Sequence, residues 1–405
     1  MTELHGRHMD RRALRAHAGQ LAQFAGVRLV TLGDGVERGI RCLQFRTGAG
    51  LSFDVLVDRA MDIGACEYRG AAIGWQSPTG FRHPGLHEHA DEGGLSWLRS
   101  FSGLLVTCGL DHTLFMDSDP AGHYHYTPRK SVDSSLHGRI ANTPARLTGY
   151  GERWEGDECI LWCEGVVQQS TVFGEDLHLV RRIEARVGAR EFTLHDRVLN
   201  HGFYRTPHMF CYHINVGHPV LDEGSRYIAP VRHTPWAAHA EQLRRQGVGY
   251  RTQSGPKNDF HEQVYEHAMA SDAEGRIPVG LVNPGFDGGR GIGLVVEVRQ
   301  DEFPCQFQWQ NYQAGQYVMG IEPSTNHVLG KPFARERGEL IWLEHGEERQ
   351  YHTRFAVLDG RAELDAFEQR VRGICAQPEA EYPEITGRWD RERVNEPLTP
   401  TRGPR

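Results

Sequence analysis

The sequence predicts an all-β protein built as a large antiparallel sandwich, and three observations carry that prediction. Short runs rich in Val, Ile, Leu, Phe, Tyr and Trp recur along the chain between Gly, Asp, Asn and Pro punctuation. Period-two alternation of apolar and polar residues is plain in Leu177–Val187 and Glu191–Asn200, which the turn-like Gly188-Ala189-Arg190 joins. Helical patterns long enough to cross between parallel strands are missing from the body of the chain, which argues against βαβ units. With 405 residues, 39% hydrophobic and 24% charged, the chain can bury a sizeable core, and disorder, collagen and coiled coil are excluded.

In chain order, Met9–Ala25 carries Leu14, Leu21 and Phe24 at helical spacing and predicts the one convincing helix of the first half. Strands are predicted over Gly39–Thr47, Ser52–Val57, Leu104–Cys108, Glu158–Gln169, Leu177–Val187, Glu191–Asn200 and Met209–Val216, then over Gly293–Arg299, Cys305–Trp309, Tyr317–Ile321, Gly338–Leu343 and Glu348–Leu358. Leu364, Phe367, Val371 and Ile374 predict a helix over Leu364–Cys375. Beyond it, Pro378, Pro383, Pro397, Pro400 and Pro404 among charges predict an extended strip. The organisation expected is therefore an N-terminal helical extension (1–25), one sandwich domain (26–376) and a Pro-rich tail (377–405). Phe81–Trp97, rich in His and Gly, reads as a long loop of the kind that often serves function. No repeat with a period of roughly 20 to 50 residues is present, which disfavours propellers and solenoids.

Charge narrows the partners. Acids outnumber bases 53 to 45, for a net charge of −8, and the Lys and Arg residues form no block, so a phosphate-backbone footprint is missing and nucleic acid is not an expected partner. Apolar stretches such as Gly103–Leu110 fall far short of the roughly 20 residues that span a bilayer, so no membrane partner is expected. Met1–Gln20 lacks an apolar segment with a cleavage site, and a cytoplasmic location is expected. The eight cysteines are scattered without a CxxC, and are read as reduced, mostly buried thiols. Histidine, 23 residues, is in excess, which fits a proton-handling or metal-holding cleft and a His-rich surface equally well. A homo-oligomer is compatible with all of this.

Two motifs are set aside. Gly285–Gly293 is glycine-rich, but it leads into a strand where phosphate motifs open a helix, so it reads as a hairpin loop. His261-Glu262 with Glu266-His267 superficially resembles zinc-protease spacing, but the two His are too far apart for one helical face. Three segments point to chemistry instead. In Ser134–Pro144, His137 follows a strand-like approach and precedes Gly and Arg. In Pro207–His218, a strand would put Cys211, His213 and Asn215 on one face of an otherwise apolar element; burying an imidazole and an amide without partners costs a few kcal/mol, so that face is expected to line a wet cleft. In Tyr317–Asn326, Glu322 ends an apolar run just before Pro323.

Taken in order, these segments resemble the aldose 1-epimerase (galactose mutarotase-like) superfamily, and most closely a divergent bacterial branch of it. The resemblance runs from about Gly26 to Leu358 and rests on Leu56-Val57-Asp58-Arg59-Ala60-Met61-Asp62-Ile63-Gly64, Gly103–Leu110, Leu136–Pro144, Tyr212-His213-Ile214-Asn215, Ile321-Glu322-Pro323 and Leu343–Glu347. It implies the β-supersandwich fold, Glu322 as general base and His213 as general acid. It further implies that His137, Arg99 and Glu262 hold the sugar. The sequence departs from better-known members in the Ile-Asn-Val that follows His213 and in the context of Glu322, and it leaves the sugar open.

The residue types support this chemistry independently. Interconverting anomers requires taking the proton of the C1 hydroxyl while giving one to the ring oxygen, and a Glu and a His on opposite sides of the sugar, with room for a pyranose between them, can do both near neutral pH. Hydroxyl-rich ligands also want stacking planes and polar partners, which Trp75, Trp97, Trp309, Tyr312, Arg99 and Asn215 offer. No metal or organic cofactor is needed. A second reading, a metal-assisted sugar isomerase, epimerase or lyase, would gather His112, His137, His208 and His213 with Glu322 around a divalent ion. A third is a carbohydrate-binding protein without catalysis.

Overall fold

A computed structural model describes residues 2–124, 129–238 and 249–376. Among them, strands form antiparallel ladders throughout the sheets. An eight-stranded sheet runs in the spatial order Ala145–Glu155, Glu158–Ser170, Asp176–Arg186, Glu191–Asn200, Glu348–Asp359, Ile292–Arg299, Arg276–Asn283, Arg226–Ile228. A second sheet runs Val231–Ala237, Gln263–Met269, Cys305–Asn311, Val318–Ser324, Thr206–Val216, Ile341–Leu343, and Leu105–Leu110 also pairs with Thr206–Val216. A five-stranded sheet, Gly26–Thr31 through Ala71–Ala72, precedes both in the chain.

Side-chain parity explains how the sheets stack. Along Asp176–Arg186 buried and half-buried residues alternate, so one face meets the core and the other meets water. Along Thr206–Val216 every residue is buried. Phe210, Tyr212 and Ile214 of that strand enter the principal core, where Phe210 and Tyr212 meet Phe303 and Tyr351. The intervening Cys211 and His213 face the other way, towards a second cluster of Trp75, Trp97, Phe101 and Trp309.

The core between the sheets holds an ionic knot. Arg181, fully buried, donates to Asp62 at 2.7 Å, to Asp196 at 2.6 Å and to Thr107 Oγ1 at 2.8 Å, while the Tyr212 hydroxyl donates to Asp196 at 2.6 Å. Four segments thus meet at one guanidinium, whose fork matches two carboxylates. The segment Leu56–Gly64 reaches this knot through Asp62, which also accepts the backbone N–H of Thr107 at 2.9 Å, and through the Ala60 carbonyl, which accepts from Arg181 at 3.2 Å.

All twelve predicted strands are present, as is the C-terminal helix, which spans Arg361–Ile374. The N-terminal helix is shorter than its periodicity suggests. It covers Arg11–His17, capped by Asp10, whose side chain accepts from Ala13 N, and a 3-10 turn over Leu21–Gln23 follows. A hairpin of Thr2–Leu4 and Arg7–Met9 comes first, and Leu4 and Leu14 both enter the principal core. The Gly285–Gly293 stretch joins two strands through a short helical turn, as a hairpin loop should. The Pro-rich tail, 377–405, lies outside the described residues.

Candidate active site

Neighbouring strands place the site. Thr206–Val216 and Val318–Ser324 pair with Ile214 opposite Ile321, which puts His213 beside Glu322 on the same face. His213 Nε2 lies 3.3 Å from a Glu322 carboxylate oxygen, and each residue is only 4% exposed. A pyranose does not fit between atoms that close. The expectation of a sugar flanked by base and acid gives way to a contiguous pair over which a sugar would lie.

The tautomer of His213 follows from its neighbour. Asn215 Nδ2 donates to the carbonyls of Gly103 at 3.0 Å and His213 at 3.1 Å, so Asn215 Oδ1 is the acceptor for His213 Nδ1 at 2.6 Å. Nδ1 therefore carries the proton and Nε2 presents its lone pair to Glu322. Burial pushes the imidazole down to about 3. Burial, reinforced by the charge of Glu262, pushes the Glu322 carboxyl up to about 8. At neutral pH the facing Nε2 and carboxyl share a single proton, on the carboxyl, and the pair is uncharged.

The pair lies at a cavity of about 610 Å³ walled by Trp75, Trp97, Phe101, Phe307 and Trp309. That volume suits a small ligand. Trp309 Nε1 donates to Glu262 at 2.7 Å, fixing both the ring and the carboxylate at the wall. The Phe101 ring meets His213 edge-on, with centroids 4.6 Å apart. His137 also lines the cavity, its ring centroid 5.6 Å from that of His213 and 4.5 Å from that of Trp97. Its backbone is held at φ 56°, a left-handed conformation that costs a branched or bulky residue about 1 kcal/mol or more and is typical of functional turns. His137 Nδ1 is buried without a hydrogen-bond partner among the described residues, and burial depresses its basicity well below the usual imidazole range. Leu95, Leu98, Phe115 and Met116 form an exposed apolar rim, and no Lys or Arg is found among the described residues lining the cavity.

Of the residues singled out in the sequence, Glu322, His213, His137, Glu262 and Trp309 line this one cavity, and Asn215 sits directly behind His213. Arg99 does not join them. It ends the 3-10 turn Ser96–Arg99, points to solvent and pairs with Glu92, because in that turn Trp97 takes the inward position. Tyr312 is also elsewhere, fully buried with its hydroxyl on Gln253 at 2.6 Å. His112 and His208 do not meet the pair either. His112 Nε2 bonds to the Phe115 carbonyl, and His208 bridges the Leu110 carbonyl and the Tyr351 hydroxyl, so the ion site proposed for them is not assembled. Phe101, Phe307, Val264 and Val328 were not anticipated. Phe307 stands two residues from Trp309 on its strand, and Val264 two residues from Glu262, which immediately precedes the strand Gln263–Met269; that same-face spacing was the available signal.

This is the fold of the galactose mutarotase-like, aldose 1-epimerase superfamily. A candidate aldose 1-epimerase from Klebsiella pneumoniae superposes with a TM-score of 0.75 at 26% identity, covering 86% of this chain and 87% of its own. A galactose mutarotase-like protein from Clostridium acetobutylicum gives 0.54 at 11% identity, over 82% of this chain and 98% of its own. The Slr1438 protein of Synechocystis gives 0.52 at 14%, over 78% and 94%. The chain itself belongs to the family DUF4432, described as a domain of unknown function, whose model matches residues 37–357. No curated protein sequence matches it. No helix among the described residues is long and apolar enough to cross a membrane.

Proposed function

We propose that the protein is an aldose 1-epimerase-like isomerase that interconverts the anomers of a sugar by acid–base ring opening. The observation that carries the reading is the Glu322–His213 pair, 3.3 Å apart at an aromatic-walled cavity. O1 and the ring oxygen of an aldose are both bonded to C1, so one sugar face can engage two adjacent groups at once. One member of the pair takes the O1 proton as the C1–O5 bond breaks and the C1 carbonyl forms, and the other gives its proton to O5. Rotation about C1–C2 presents the other carbonyl face, and the ring closes with the roles exchanged.

In the resting pair the proton sits on Glu322, and moving it to His213 Nε2 produces the carboxylate base and imidazolium acid that the resemblance implies. The two forms hold the same number of protons, so both belong to one pH window. Trp97, Trp309 and Phe101 offer planes for the sugar, and Glu262 and His137 offer polar partners for its hydroxyls. Among the described residues no cationic side chain lines the cavity, which favours an unphosphorylated substrate.

Exchange NMR tests this directly. Wild-type protein should accelerate anomer exchange of at least one sugar in a panel of neutral, deoxy and uronic aldoses, and Glu322→Gln should abolish that acceleration without loss of fold. Binding of a sugar with no accelerated exchange would instead mark a carbohydrate-binding protein.

A further inference from the structure

On the sheet face that carries Glu322, but two strands away, lies a cluster that the proposed chemistry does not use. Glu266 stands opposite Phe307, and Phe307 stands opposite Glu322, so Glu266 and Glu322 are separated by two strand spacings, about 10 Å. Cys305, two residues before Phe307, shares its face, and His327 follows the Val318–Ser324 strand. Glu266, Cys305 and His327 are 2%, 2% and 7% exposed, and one ligand atom from each lies within 4.8 Å of the other two.

We propose that Glu266, Cys305 and His327 bind a structural divalent zinc ion. Cys305 Sγ lies 3.5 Å from His327 Nδ1, and Glu266 Oε1 contacts that same nitrogen. A single Nδ1–H can make a straight hydrogen bond to the sulfur or to the carboxylate but not to both, whereas a cation shared by the three atoms accounts for their convergence. Zinc–sulfur and zinc–nitrogen bonds of about 2.3 and 2.0 Å at a tetrahedral angle put the two ligand atoms about 3.5 Å apart, as Cys305 Sγ and His327 Nδ1 are, whereas Glu266 Oε1 sits closer to Nδ1 than two zinc ligands do and has to draw back to admit the ion. Thiolate, imidazole and carboxylate together suit a borderline metal such as zinc better than magnesium or calcium.

The surroundings are those of a supported ligand set. The second oxygen of Glu266 accepts the backbone N–H of Val328 at 3.1 Å, which leaves Oε1 for the metal. Glu339 faces the far ring nitrogen of His327 at 3.6 Å, the place where a metal-bound imidazole usually meets a carboxylate. Among the described residues three ligands are available, and a fourth tetrahedral corner remains for a further donor such as water. None of the three lines the sugar cavity, but Phe307 and Val328, their immediate neighbours, do. The ion would pin the turn after Glu322, and with it one cavity wall, whatever reaction the cavity performs.

Elemental analysis of the purified full chain, with cobalt replacement, decides the matter. Zinc at one equivalent per chain is expected, and cobalt-loaded protein should show thiolate-to-metal absorption. Cys305→Ala and His327→Ala should lose the metal, while Glu339→Gln should weaken zinc binding about 10- to 100-fold. If those variants fail to fold, the wild type still decides: sub-stoichiometric metal, with a melting temperature indifferent to both chelator and added zinc, would overturn the proposal and leave His327 as an ion-paired imidazolium.

Discussion

Glu322→Gln should cost the protein its activity and at the same time make it more stable at neutral pH. Glu322 is 4% exposed, and its carboxyl is raised from an ordinary 4.5 to about 8. Because the folded value lies above the unfolded one, its full contribution to stability is present below about pH 4.5 and is lost as pH rises towards about 8. Each pH unit in that window is worth about 1.4 kcal/mol, so at pH 7 the wild type has given up about 3 kcal/mol. That is a large share of the roughly 5–15 kcal/mol by which domains are stable. Glutamine cannot ionise, and its amide can still donate to His213 Nε2, so the variant escapes the loss. Urea unfolding of both proteins from pH 5 to pH 9 measures it. The stability difference should grow with pH and level off above about 8. Parallel curves would show that Glu322 ionises like an exposed carboxylate, and the reasoning about the pair would fail.

The remaining predictions concern activity, binding and the core. Anomer exchange should stay level through neutral pH and decline above about 8, as the pair loses its single proton; a decline already complete near pH 6.5 would show an unperturbed His acid. Asn215→Leu removes the acceptor that sets the His213 tautomer, a bond worth about 1.5–3 kcal/mol when its donor becomes charged, so exchange should slow about 10- to 100-fold with little change in sugar affinity. Arg99→Ala should change neither exchange nor, beyond about 1 kcal/mol, stability, since its partner Glu92 is also at the surface. Arg181→Met strands two buried carboxylates and should cost about 3–5 kcal/mol in urea unfolding.

Strands with one wet face were the most legible part of the sequence. Leu177–Val187 and Glu191–Asn200 alternate because water faces one side of them, and they appear as Asp176–Arg186 and Glu191–Asn200. Strands that carry atypical residues were missed. Ala145–Glu155 is polar and largely exposed, and Arg276–Asn283 contains Pro278. The N-terminal helix was overextended because apolar spacing continues past Gly19 into a 3-10 turn.

At the site, His213 and Glu322 were legible because a buried polar residue inside an apolar run demands a partner. Arg99 misled because nothing in the sequence says which residue of a short turn points inward. Phe101 and Phe307 were hidden because an aromatic wall reads like any other core residue. The Cys305 cluster was invisible for a different reason: its three members come from separate segments, and no spacing announces them. Glu266 does belong to the His261-Glu262, Glu266-His267 pattern, but its neighbour His267 faces the inter-sheet core and contacts Thr234 and Gln308.

The two-sided burial of Thr206–Val216 also restricts how this chain can vary over time. Tyr212 serves the ionic knot and His213 the cavity, and they are adjacent in sequence yet point to opposite faces. A single residue gained or lost before them would hand the phenol to the cavity and the imidazole to Arg181. Relatives that keep both functions should therefore differ within this strand by exchanges of residue type alone, and should take up changes of length at its ends, around His201–Arg205 or beyond Gly217.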